Sequence, residues 1–190
     1  SAFSSSSAFE DRFNASRAPN RASCVAFAGA NAVNASTAST SSFIAANVSA
    51  AINARLEGKP CRAVTSDQKV WIPRTRRFLY PDIVVVCGEP SFRDDAQDAL
   101  TNPIAILEIL SASTEAYDRG EKFRNYQTID SLLEYVLVAQ DSVRVESYVR
   151  QESKFWRYSA LTDTSEVLLT SLSIELPTAE IYRGLPLSAP

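Results

Sequence analysis

Three side chains in one stretch of this sequence have the types and spacing for hydrolytic chemistry: Asp82, Glu108 and Lys122. Asp82 heads the apolar run Ile83-Val84-Val85-Val86-Cys87, and Glu108 sits inside a second run from Ile104 to Leu110. Continuous apolar runs of this length suit strands covered on both faces. An ionised carboxylate buried in such a strand without a partner is costly, so Glu108 is expected to be paired, metal-bound or neutral. Pro81 cannot donate to a ladder and belongs at a strand start or edge, which puts Asp82 at or near the first paired residue. Two carboxylates at neighbouring strand positions repel each other. A divalent cation removes that penalty, and hard oxygen ligands suit Mg2+ or Mn2+. Taken singly, Asp82 reads as part of a Pro-Asp turn and Glu108 as half of an ion pair with an arginine. Together with Lys122 they favour a functional set.

Lys122 lies in a segment with a helix signature. Asp118-Arg119-Gly120-Glu121 has the form of a capping box, with Asp118 at the N-cap, and predicts a helix from about 119 to about 128. Phe123 and Tyr126 form its apolar stripe. Lys122 and Tyr126 stand four residues apart, so ammonium and phenol share one side of the helix. Alone, Lys122 reads as a solvated helix lysine. Its helix directly follows the strand that carries Glu108.

These residues carry a resemblance. Pro81-Asp82, Asn102-Pro103 before the strand with Glu108-Ile109-Leu110-Ser111, Ser113-Thr114, Asp118-Arg119-Gly120-Glu121-Lys122 and Tyr126 resemble the Uma-type restriction endonuclease family of the PD-(D/E)XK superfamily. The segment LLEYVLVAQDSVRVESYVR, Trp156 and Glu180-Ile181-Tyr182 are similar to it as well, so the likeness covers roughly residues 43 to 183. It implies a restriction-endonuclease-like core and Mg2+- or Mn2+-dependent hydrolysis of DNA. Asp82 and Glu108 would hold the metal with the Ile109 carbonyl. Lys122 would act on the attacking water or the transition state, with Tyr126 positioning it. The superfamily places a lysine two residues after the acid, where this chain has Leu110, and the resemblance implies that Lys122 supplies that charge from the helix.

The composition sets limits. At 190 residues the chain suits one domain with a substantial core. A net charge of −3 and a pI near 5.1 give no global basic field, so any DNA contact needs a local patch. Arg74, Arg76 and Arg77, just before the Asp82 strand, are the compact basic cluster. A solvated hairpin turn and a phosphate contact, with Arg77 nearest the site, are both open for them. Cys24, Cys61 and Cys87 are odd in number and lack CxxC spacing, which predicts neither a disulfide framework nor a zinc site. Cys87 is expected as a buried small hydrophobe. Histidine is absent, which excludes imidazole bases, His-based triads and His-ligated metals. No run has the length of a membrane span and no leader pattern appears, so a cytoplasmic protein is expected.

In chain order, residues 1–42 are rich in Ala and Ser and read as a low-complexity arm of the same domain. Residues 43–183 read as the nuclease-like domain and 184–190 as a tail. A helix is predicted over Phe43–Leu56, capped by Ser41 or Ser42 and stopped by Gly58 and Pro60. Asn47 flanks its apolar stripe. CRAVT and QKVWI are short strands, or one bent strand, and residues 88–101 read as a surface loop. From Leu132 onward the period-two pattern predicts an antiparallel meander, and Ala179–Tyr182 one helical turn. The class is therefore α/β: a mixed central sheet flanked by helices, with an antiparallel C-terminal meander. The aromatic strands carrying Tyr148, Trp156 and Tyr158 suggest a homodimer. The alternative function is a catalytically inactive nuclease-fold module for binding or assembly, which the acidic pI and Leu110 favour.

Overall fold

Ile44, Val48, Ile52 and Leu56 recur every fourth residue and are all buried. They form the inner stripe of helix α1, Thr37–Leu56. The computed structural model describes residues 37–65, 67–152, 155–163 and 165–187. The low-complexity arm expected over 1–42 lies outside the described residues as far as 36. Its expected end at 42 falls inside α1, so Ser41 and Ser42 are helical residues and do not cap the start. The stop matches the expectation: Gly58 takes φ of 76° and Lys59 N–H donates to the Leu56 carbonyl at 2.9 Å.

The chain continues through β1 (Cys61–Thr65), β2 (Lys69–Ile72), β3 (Arg77–Leu79), β4 (Ile83–Cys87), β5 (Phe92–Arg93), β6 (Ala96–Leu100) and β7 (Ala105–Leu110). A composite helix follows: α2 (Glu115–Tyr117), a π turn (Asp118–Lys122) and α3 (Phe123–Tyr126). Then come β8 (Glu134–Ala139), β9 (Val145–Arg150), β10 (Trp156–Leu161), β11 (Glu166–Leu169), β12 (Ile174–Pro177) and α4 (Thr178–Ile181). The central sheet has the order β1-β4-β7-β8-β9-β10. It is mixed, because β7 and β8 run parallel across the composite helix while the other pairs are antiparallel. Strands β3-β2-β6-β5 form a second sheet, and β11-β12 a hairpin.

Residues 88–101 are thus not a loop. They hold β5 and β6, which pair with each other and, through β6, with β2. Their outward faces are exposed, and that exposure explains the polar composition.

Alternation on the two buried central strands sorts the core into two layers. Ile83, Val85, Ala105, Leu107 and Ile109 face α1, β11, β12 and α4. Val84, Val86, Ile106 and Leu110 face α3 and the second sheet, with Phe123, Tyr126, Tyr135 and Leu137. Period two places Asp82 and Glu108 on this second side. Asn47 donates to the Ile181 and Arg183 carbonyls and so ties α1 to the chain end, away from Glu108. Within the stretch expected as a tail, Leu185 and Leu187 pack on the first layer.

Cys61 and Cys87 are direct partners in the β1–β4 register and form a disulfide, against the expectation of none. The pairing depends on strand register, which the spacing of 26 residues does not reveal. Tyr148 and Trp156 pack inward against Phe123, leaving Tyr158 half exposed on β10.

Glu134 is fully buried at the start of β8 and holds the β11–β12 turn. It accepts from Ser147 Oγ at 3.1 Å, Thr170 N at 3.2 Å, Ser171 N at 2.9 Å and Ser171 Oγ at 2.7 Å. Glu134→Ala strands those donors, and urea denaturation is expected to show a loss of roughly 3 kcal/mol. A loss below about 0.5 kcal/mol would show that solvent satisfies the turn equally well.

Candidate active site

Asp82 and Glu108 extend the β4–β7 ladder with side chains. The backbone pairing runs from Val85 with Ala105 to Ile83 with Leu107. One residue further on, Ile109 N–H donates to Asp82 Oδ2 at 2.7 Å, and Asp82 N–H donates to Glu108 Oε2 at 3.2 Å. Each carboxylate thus holds the backbone of one strand against the other, which fixes both at one end of the sheet.

The composite helix brings the cation. Lys122 Nζ lies 2.8 Å from Glu108 Oε2 and 3.5 Å from Asp118 Oδ1. Asp118 is buried and lies within the helix, with φ −64° and ψ −43°, so it is not the N-cap that the capping-box pattern predicted. The helix begins three residues earlier, at Glu115, after Ser111 and Thr114, whose hydroxyls bond each other. Asp118, Lys122 and Tyr126 recur at every fourth position, and the π turn carries the first two. Such turns recur at functional sites.

The turn is held from two directions. Tyr135 Oη donates to the Asp118 carbonyl at 3.0 Å, and Arg119 reaches Glu146 on β9 at 2.5 Å. Sequence reasoning missed Asp118 and Tyr135. The four-residue spacing from Asp118 to Lys122 to Tyr126 was the available signal for the first. The alternation that sets Tyr135 and Leu137 on one face was the signal for the second.

The electrostatics follow from burial and crowding. Burial raises the Glu108 pKa to about 8. Lys122 draws it down, and Asp82 and Asp118 push it up. Burial also raises Asp82, opposed by the Ile109 amide and Lys122. For Lys122, burial works downward but is outweighed by Glu108, Asp118 and Asp82, so its pKa ends raised. Tyr126 is pushed well up by burial and by the facing Glu108 charge, which keeps its phenol neutral. Although the two groups face each other, Tyr126 Oη and Glu108 Oε1 are buried without a formed hydrogen bond among the described residues.

Asp82, Glu108, Lys122 and Tyr126 lie together, and Ile109 joins them through its amide rather than by any contact of its carbonyl. Arg77 does not. Its Nη1 pairs with Glu121 Oε1 at 2.7 Å, on the neighbouring face of the helix.

The donor set suits a hard divalent cation. Asp82 and Glu108 place two carboxylates beside one ammonium, with the Tyr126 phenol facing Glu108. Among the described residues no three His, Cys, Asp or Glu side chains converge where they could hold a metal ion, so the site's own carboxylate donors are the two on the strands. No helix among the described residues is long and apolar enough to cross a membrane.

Residues 30–179 match the family described as "Uma2: Putative restriction endonuclease". Two Synechocystis sp. proteins, both titled uncharacterized, are similar in sequence. The protein sll1609 is 41% identical over 96 residues, 50% of this chain and 54% of its own length. The protein slr1290 is 36% identical over 130 residues, 68% of this chain and 67% of its own length. The chain thus spans about half the length of the first and two thirds of the second. A crystal structure from Anabaena variabilis, titled a putative nuclease belonging to DUF820, superposes with a TM-score of 0.60 at 16% identity. That match covers 75% of this chain and 79% of the other, and shows a shared fold.

Proposed function

The chain belongs to the Uma2 restriction endonuclease family, and from that premise we propose that it is a Mg2+- or Mn2+-dependent endonuclease hydrolysing DNA phosphodiester bonds. The observation that carries the reading is the buried Asp82–Glu108–Lys122 cluster, two strand carboxylates held beside a single ammonium.

Asp82, Glu108 and the Ile109 carbonyl would hold the ion. When bound, it would neutralise phosphoryl charge and lower the pKa of the attacking water. The other roles belong to the chain's own groups. Lys122, raised in pKa and therefore protonated, places a fixed positive charge where negative charge develops on the phosphoryl oxygens. Asp118 and Glu108 bracket Lys122 and set its position. The neutral phenol of Tyr126 closes the apolar side and keeps water from Glu108.

Asp82→Asn keeps the shape, and its side-chain carbonyl can still accept from Ile109 N–H. It is expected to lower cleavage of plasmid DNA with Mg2+ by at least about a hundredfold, comparable to the loss of a key charge-stabilising group. Cleavage equal to wild type would reject the assignment.

One observation favours a second reading: Lys122 already occupies Glu108 Oε2. A permanently closed pair would make this an inactive module for binding or assembly. Calorimetric titration with Mg2+ and Mn2+ decides, because no heat at millimolar concentration leaves that module in front. The proposal extends to a homodimer paired along β10, the outer strand, where Tyr158 is half exposed. A monomer mass by sedimentation would remove that extension.

A further inference from the structure

We propose that the open cleft between the β2–β3 turn and helix α3 is a binding site for the phosphate chain of a nucleic acid strand. This inference rests on the nuclease reading and names how that site would hold its substrate. The cleft has a volume of about 840 Å³. Arg74 and Arg77 line it from the β2–β3 side and Glu121, Arg124 and Asn125 from the helix, with Asp130 and Trp156 also in its lining.

The arginines differ in what they are free to do. Arg77 is tied to Glu121 across the cleft. Arg150, also lining it, spends its guanidinium on the Gln127, Ile129 and Leu132 carbonyls. Arg74 and Arg124 are exposed and have no ion pair or hydrogen bond among the described residues. They are the cleft's available cations, one on each wall. Nη1 of Arg124 lies 3.8 Å from where a side chain on Gly120 would begin, over the turn that carries Lys122. The cleft and the carboxylate–lysine cluster therefore occupy adjoining faces of one helix: Glu121, Arg124 and Asn125 on one, Asp118, Lys122 and Tyr126 on the other.

The chemistry selects the sugar-phosphate backbone over the bases. Exposed guanidinium groups match phosphate oxygens in fork geometry. Trp156 is not open for base stacking, because the Arg150 guanidinium lies 4.8 Å from its ring centre and Phe123 meets it edge-on. Binding here is therefore sequence-independent, and the acidic chain as a whole needs such a local patch to approach DNA at all.

The test is fluorescence anisotropy of the full chain with a labelled DNA duplex in EDTA, over a series of salt concentrations. EDTA separates binding from cleavage. Arg74→Ala/Arg124→Ala should weaken binding and lower the slope of log affinity against log salt by about 2, roughly one per arginine. Arg74→Lys/Arg124→Lys should recover most of the slope, and both variants should melt with wild type, since neither arginine has a partner to lose. An unchanged slope, or no DNA binding by wild type, overturns the cleft assignment. So does inorganic pyrophosphate competing as well as duplex per phosphate, because the site would then serve free phosphates. If cleavage by wild type persists while the slope is unchanged, the cleft is wrong and the nuclease stands. If the slope falls but Mg2+ elicits no cleavage, the cleft stands and the nuclease reading fails.

Discussion

Lys122→Met is expected to lower DNA cleavage by about a hundredfold to a thousandfold, the typical effect of removing one preorganised charge-stabilising group. Its effect on stability should depend on pH. Lys122 Nζ is bonded to Glu108 Oε2, and the Glu108 side chain is 1% exposed. Removing one partner of such a pair costs about 3–5 kcal/mol when the other stays charged. Glu108 has an escape, because burial has already raised its pKa to about 8 and loss of the ammonium raises it further. At pH 6 the carboxyl already holds its proton, with or without Lys122, and the loss should be only about 1 kcal/mol. At pH 9 wild-type Glu108 is ionised and the variant must keep a proton or bury a charge, so the full penalty should appear.

Lys122→Met/Glu108→Gln should recover stability at pH 9 and stay inactive, giving a coupling of about 1–3 kcal/mol in a double-mutant cycle. Additive single effects would show that the pair does not act as a unit. Activity in Lys122→Met close to wild type would remove Lys122 from the chemistry.

The parts legible in the sequence are those where composition and position agree. The Ile83–Cys87 and Ala105–Leu110 runs suited buried strands, which they form, and a lone carboxylate inside the second marked itself by the energy of its burial. Lys122 and Tyr126 followed from helical spacing. Asp118 was hidden because Asp-Arg-Gly-Glu satisfies a cap pattern equally well in a helix interior. The tertiary contact of Tyr135 on its carbonyl marks it as interior, and its four-residue spacing to Lys122 was the local hint. The β5–β6 hairpin was hidden because a peripheral sheet with exposed faces tolerates the polar residues of a loop. Cys61 with Cys87 required a register, and Arg77 with Glu121 required knowing which wall of a cleft each occupies. For the disulfide and for Arg77 the deciding partner is distant in sequence.

Glu108→Gln is expected to flatten the pH dependence of stability. A carboxyl raised to about 8 in the folded protein, against an ordinary value of 4.5, holds its proton through a window in which the unfolded chain has lost it. Folding therefore takes up a proton between those values, and stability falls as pH rises through them, by at most about 1.4 kcal/mol per pH unit. Asp82, also raised, adds in the same direction from its lower starting value. Lys122, raised from 10.5, gives stability that is lost only above that value, so it does not bend the window. On the acid side Glu146, lowered overall because its bonds to Arg119 outweigh its burial, loses its contribution as pH falls below the ordinary carboxyl range.

Wild-type melting temperature should thus peak near the bottom of the window and decline toward pH 8. Glu108→Gln has nothing to titrate there and should lose most of the decline. The substituted amide does not strand Lys122, which keeps Asp118 at 3.5 Å, so the variant should be as stable as wild type or more so at pH 8. Mg2+ supplies the discriminating arm. A ligand binding only the folded form at a hundredfold excess over its dissociation constant stabilises by about 2.7 kcal/mol. For wild type the gain should grow toward pH 8, where Glu108 is free to ionise, and for Glu108→Gln it should vanish. A decline that persists in Glu108→Gln would assign the titration to another group. No Mg2+ response in wild type at pH 9 would end the case for a metal at this site.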